Sequence, residues 1–134
     1  KAGIVCYRWT DKGIEEFWKY PKVTRRSDSS PIVEGNYVFL FGADMRLCLD
    51  LKTGKVLHKE ASKHDISSPI FADGKIFAYE IKGSFLNMVK ADPNDFTELG
   101  KTKVQALRCS SPAIAGNKLL VRMADRIACY DLGQ

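Results

Sequence analysis

Three stretches of this chain start the same way: SSPIVEGNYVFLFG at 29–42, SSPIFADGKIFAYE at 67–80 and SSPAIAGNKLLVRM at 110–123. Pro31, Pro69 and Pro112 lie 38 and then 43 residues apart. A chain that restarts at such intervals builds stacked copies of one supersecondary unit, because a single unit cannot bury its own apolar face. Four residues after each proline comes a turn pair: Gly35-Asn36, Asp73-Gly74 and Gly116-Asn117. These residue types accept the positive φ that two-residue hairpin loops demand.

After each turn comes an apolar run of strand length: Tyr37 to Phe41, Ile76 to Tyr79 and Leu119 to Val121. Near-continuous runs of this kind predict strands covered on both faces. A third strand is expected at Arg46–Leu51, Phe85–Val89 and Arg126–Leu132, and a fourth starts at Val56 after the turn in DLKTGKVLHKE. Four antiparallel strands per unit of about 40 residues make a β-propeller blade. The opening residues enter the same template halfway, with Ile4–Trp9 as third strand, a turn at Asp11–Gly13 and Ile14–Tyr20 as fourth strand.

The expected fold is therefore all-β, a β-propeller fragment of about three blades, each a four-stranded antiparallel sheet. Its units are a half blade at 1–26, blades at 27–64 and 65–107, and an incomplete blade at 108–134. Propellers close with at least four blades, so these residues are expected to be the C-terminal part of a longer ring. The expected partners are the rest of that ring, another copy of the chain or a separate protein.

The composition excludes more than it assigns. Hydrophobic residues make up 45% of the 134 positions, and no apolar run approaches the roughly 18 residues of a membrane helix. The net charge of +5 comes from scattered residues, Arg25-Arg26 being the densest pair. Nucleic-acid binders gather such charge on one element, so no nucleic-acid partner is expected.

The cysteines follow the repeat. Cys48 and Cys129 each lie 17 residues after their proline, Cys6 takes that place in the half blade and Met88 takes it in the long repeat. Such a column predicts unpaired, buried packing positions. Cys109 stands apart from it. No Cys/His spacing suits zinc, and His58 and His64 match no ligand pair, so neither a metal nor a catalytic residue is assigned. Serines before the inner strands (Ser29, Ser30, Ser67, Ser68, Ser110 and Ser111) would stand at the mouth of a central channel, either facing a ligand or holding the register between blades.

The segment LCLDLKTGKVLH, residues 47–58, resembles the blade signature of pyrroloquinoline-quinone-type propellers: a small residue, Asp, then Thr-Gly-Lys, then Trp. Cys48 takes the small position, Asp50 the acid, Thr53, Gly54 and Lys55 the turn, and His58 stands where the family has Trp. The closing IACYDL is similar to it as well. The resemblance implies a packing motif and a periplasmic or secreted setting, and a non-catalytic scaffold without cofactor as the leading function. Its alternative is a fragment of a quinone- and calcium-dependent dehydrogenase whose catalytic residues lie outside this segment.

Overall fold

The computed structural model describes residues 3–23, 29–42, 44–62, 66–82, 84–107 and 110–133, leaving Arg25, Arg26, His64 and Cys109 outside the described residues. Among the described residues, thirteen strands form four antiparallel sheets. The first pairs β1 (Ile4–Thr10) with β2 (Gly13–Tyr20). In the second, β3 (Ile32–Glu34), β4 (Tyr37–Gly42), β5 (Met45–Asp50) and β6 (Val56–Ala61) lie in chain order. The third repeats that order with β7 (Ile70–Ala72), β8 (Lys75–Glu80), β9 (Phe85–Lys90) and β10 (Glu98–Lys103). The last holds β11 (Ala113–Ala115), β12 (Lys118–Arg122) and β13 (Ile127–Asp131). No helix among the described residues is long and apolar enough to cross a membrane.

Alternation along the second strand of each sheet explains the unbroken apolar runs. Val38 and Leu40 turn toward the first sheet, where they pack with Leu47, Leu49, Tyr20 and Trp18. Phe39 and Phe41 turn the other way, onto Ile76, Ala78, Val89 and Phe96 of the third sheet. Phe77 and Tyr79 in turn meet Leu119 and Val121 of the fourth. The second strand of a middle sheet thus has no solvent face, and each fully buried Phe or Leu contributes about 1.5–3 kcal/mol. Fourth strands β6 and β10 are mostly exposed and carry Lys59, Lys101 and Lys103, charges that keep an outer edge from pairing with other chains.

The hairpin loops divide into two kinds. Asp73 and Gly74 both have positive φ (48° and 67°), as a type I′ turn requires. At Gly35-Asn36 and Gly116-Asn117 only the glycine does (55° and 56°), which is the type II′ arrangement. The expectation of positive φ for the whole pair is corrected there: glycine in first place takes the unusual φ and spares the asparagine.

A feature with no Ser-Ser-Pro to announce it recurs just as regularly. Cys6 faces Trp18 while Tyr7 faces Glu16, so Phe17 is the extra residue of a β-bulge. Leu57 is extra between Cys48–His58 and Leu49–Val56, and Leu99 between Met88–Gly100 and Val89–Glu98. Each bulge turns a bulky residue to solvent (Phe17, Leu57 and Leu99 are all exposed) and re-aims the one after it. Trp18, His58 and Gly100 therefore occupy one register position, each opposite a member of the Cys/Met column.

That column is less uniform than expected. Cys6, Cys48 and Cys129 are all free thiols, but only Cys48 is buried; Cys6 is half-buried and Cys129 is exposed. Cys129 shares a face of the last sheet with Ile127, which is 70% exposed. Burial at this column comes from the following sheet, and no described residue covers that face of the last one.

Candidate functional site

The sites that position blade against blade lie at the seams. Ser67 and Ser110 are buried. The Ser67 N–H and hydroxyl both donate to the Tyr79 carbonyl (3.0 and 3.4 Å), and the Ser110 hydroxyl donates to that of Arg122 (3.1 Å). The first serine of the pair thereby ties the incoming chain to the second strand of its own sheet. The second can reach across: the Ser68 hydroxyl accepts the Ser30 N–H at 3.0 Å, joining two blades. Ser29 is half-buried, whereas Ser30 and Ser111 are exposed.

The Asp50 carboxylate organises the turn that leads to β6. It accepts from the Lys52 and Thr53 N–H groups (3.0 and 2.8 Å) and from the Thr53 hydroxyl (2.7 Å), while the Lys55 N–H reaches the Thr53 hydroxyl oxygen at 3.3 Å. The Thr53 hydroxyl bond, then the backbone donors, hold the Asp50 carboxyl below the ordinary aspartate range. Gly54 has φ 69° and lies under the ring of Trp18. The Trp18 indole N–H donates to the Leu51 carbonyl at 2.7 Å. Docking of an aromatic onto the neighbouring turn is thus performed by Trp18 of the half blade, a residue the sequence reading passed over.

The second seam solves the same problem with different parts. His58 is too small to reach the next blade's turn, and Phe96 from the β9–β10 connection comes to meet it, edge-on at 4.9 Å. Phe96 is only 4% exposed and packs at 5.0 Å against Phe41. Nearby, His58 Nε2 lies 3.0 Å from Glu60 Oε1, and Asp95 completes a group whose ligand-type atoms all fall within 4.8 Å. The histidine set aside from sequence spacing thus gains two carboxylate neighbours, one of them from another sheet.

The same seam carries a buried charge cluster. Glu80, 5% exposed at its side chain, accepts from Arg46 of the preceding sheet at 3.2 Å and from Lys101 at 3.4 Å. Arg46 also lies over the Phe41 ring and Lys101 over the Phe85 ring. Between them these contacts neutralise a carboxylate that burial would otherwise penalise. Asn87 is fully buried and, among the described residues, neither of its carboxamide atoms has a hydrogen-bond partner.

At the third seam Gly100 has no side chain to offer, and Met88 lies over it. A groove of about 230 Å³ remains between Met88, Gly100, Leu119, Tyr130 and Leu132. A neighbouring cleft of about 510 Å³ runs toward the hairpin loops, past Asp73, Lys75, Ile114 and Asn117. It lies at the opposite end of the strands from the serines, and none of the six lines it.

Bladed sheets with their strands in order and seams packed face to face define a β-propeller fold. Known structures agree. BamB from Moraxella catarrhalis superposes with a TM-score of 0.66 over 87% of this chain and 37% of its own, at 12% identity. A chain of the mitotic checkpoint complex gives 0.73 over 87% and 39%, at 11% identity. Quinohemoprotein alcohol dehydrogenase ADHIIG from Pseudomonas putida HK5 gives 0.61 over 81% and 19%, at 14% identity. This chain spans well under half the length of each. No family model and no curated protein sequence matches it.

Proposed function

We propose that this chain is a segment of a non-catalytic propeller of the pyrroloquinoline-quinone-like repeat type, serving as a rigid scaffold for protein partners in a periplasmic or secreted setting. The observation that carries the reading is where exposed apolar side chains fall. Trp9, Ile14 and Tyr7 are 80%, 64% and 59% exposed on the first sheet, and Ile127 is 70% exposed on the last. The seams between them are closed by the clusters already described. Uncovered sheet faces of this kind are what further blades of the same ring would cover. Under this reading the blade limits are 27–64 and 65–107. Of the six serines, Ser30 and Ser111 would meet any ligand at the channel mouth, since the hydroxyls of Ser67 and Ser110 are engaged.

Light scattering over a concentration series tests the proposal. The wild-type chain should associate as concentration rises, and Trp9→Glu with Ile127→Glu should each reduce that association. A chain that stays monomeric to about 1 mM and is unaffected by either change contradicts it. The alternative is tested on the full-length protein: a quinoprotein would show a visible-spectrum change when titrated with the quinone and calcium, and absence of that change removes the reading.

A further inference from the structure

His58, Glu60 and Asp95 bring one imidazole nitrogen and two carboxylates together across a seam. His58 and Glu60 lie two residues apart on β6 and so share a face, while Asp95 comes from the β9–β10 connection of the next sheet. The long repeat is five residues longer than the one before it, and this connection carries Asp95 to β6. Its backbone is held from both sides. Phe96 is anchored among Phe39 and Phe41, and the Thr97 hydroxyl donates to the Asp95 carboxylate. Asp92 takes the Asn94 N–H at 2.9 Å.

Two neighbouring cations of the described residues are committed elsewhere. Lys90 pairs with Asp92 at 2.9 Å, and Arg46, opposite Glu60 in the β5–β6 register, pairs with Glu80. Among the described residues, the Glu60 and Asp95 carboxylates thus converge on the His58 imidazole, the three ligand-type atoms all lying within 4.8 Å of one another. We propose that His58, Glu60 and Asp95 bind a divalent transition-metal ion, zinc in the first instance, as a clip between two blades. One nitrogen and two oxygens suit zinc, which has no geometric preference of its own and binds such atoms at about 2.0–2.2 Å. The 3.0 Å between His58 Nε2 and Glu60 Oε1 is close to the roughly 3.4 Å between ligands on one tetrahedral ion at those bond lengths. Asp95, exposed at the rim, has room to close the remaining gap.

Calorimetric titration with zinc chloride, after chelator treatment, tests the clip, with Asp95→Asn and Glu60→Gln alongside wild type and circular dichroism confirming each fold. Wild type should take one zinc per chain, and each variant should bind it at least about tenfold more weakly. Zinc should also slow amide exchange at 95–97 in wild type and leave it unchanged in Asp95→Asn. Absence of zinc binding overturns the proposal, as does binding that both variants retain, the outcome expected if the Cys6 and Cys129 thiols hold the metal. Calcium binding in place of zinc overturns the assigned metal class.

Discussion

Gly54 and Trp18 allow the docking of one blade on the next to be measured as an energy. A methyl group added at Gly54 would lie 2.6 Å from Trp18 Cδ2 and 2.7 Å from Cε3, well inside van der Waals contact. Gly54 also has φ 69°, so alanine there carries left-handed strain of about 1–2 kcal/mol. Overpacking against the indole adds about 1–3 kcal/mol, and Gly54→Ala should cost about 2–5 kcal/mol in all. Gly74 provides the control: its φ is 67° but nothing lies within 4 Å of a Cβ there, so Gly74→Ala should show the strain alone. Trp18→Ala forfeits a half-buried indole and its bond to Leu51, together about 2–4 kcal/mol. In that background Gly54→Ala should shrink to the Gly74 value, because the ring it collides with is gone. Urea unfolding followed by circular dichroism measures all four changes. Equal costs at Gly54 and Gly74, or simple additivity of Trp18→Ala and Gly54→Ala, would refute the docking argument.

Two further outcomes follow from buried groups. Burial first, then the nearby Asp92 and Asp50 charges, push the Cys48 thiol up to about 11 from 9.0. In the native protein at pH 8 it should resist a maleimide that labels exposed Cys129, as read by peptide mass analysis. Because its folded value lies above the unfolded one, the folded state holds the proton more tightly, and this contribution to stability is whole below about 9 and lost as pH rises through about 11. Cys48→Ala should flatten that window in a pH series of unfolding midpoints. Glu80→Gln leaves Arg46 and Lys101 facing each other without their anion and should cost about 3–5 kcal/mol in urea unfolding; a cost under about 1 kcal/mol would show the cluster to be effectively solvated.

The repeat made the strands legible because it rests on local rules: a proline before a short inner strand, a turn pair, then an apolar run that must be covered twice. The site was less so. Counting four residues on from the turn glycine, as Thr-Gly-Lys-x-x-Trp suggests, reaches Phe17 from Gly13, whereas the register reaches Trp18. The difference arises because the first hairpin stays paired out to Thr10–Gly13. A bulge shows in sequence only as an exposed apolar residue beside an inward one, a pattern shared with many strands. Burial of Glu80 depends on Arg46, 34 residues earlier, and nothing beside Glu80 in the chain signals that partner. Exposure of Cys129 is tertiary in the same sense: its spacing matches that of Cys48, and only the cover differs.

The three register-equivalent positions also show how one packing problem admits substitutes. Trp18 bridges its seam alone, His58 shares the work with Phe96, and Gly100 leaves a groove under Met88. The blade signature that residues 47–58 resemble would favour His58→Trp as a stabilising change. The structure gives the opposite sign. The space an indole would take at position 58 is already occupied by the Phe96 ring, 4.9 Å away, and that ring is wedged against Phe41 and Phe39. His58→Trp should therefore destabilise the chain by about 1–3 kcal/mol through overpacking. Phe96→Ala alone should cost about 3–5 kcal/mol as a buried aromatic lost to a cavity. Together the two changes should cost less than their sum, because the indole enters the space that Phe96 vacates. Chemical unfolding of the single and double variants decides the matter. A gain in stability from His58→Trp alone would mean that the seam has spare volume, and that Phe96 does not fill the place a docking tryptophan would take.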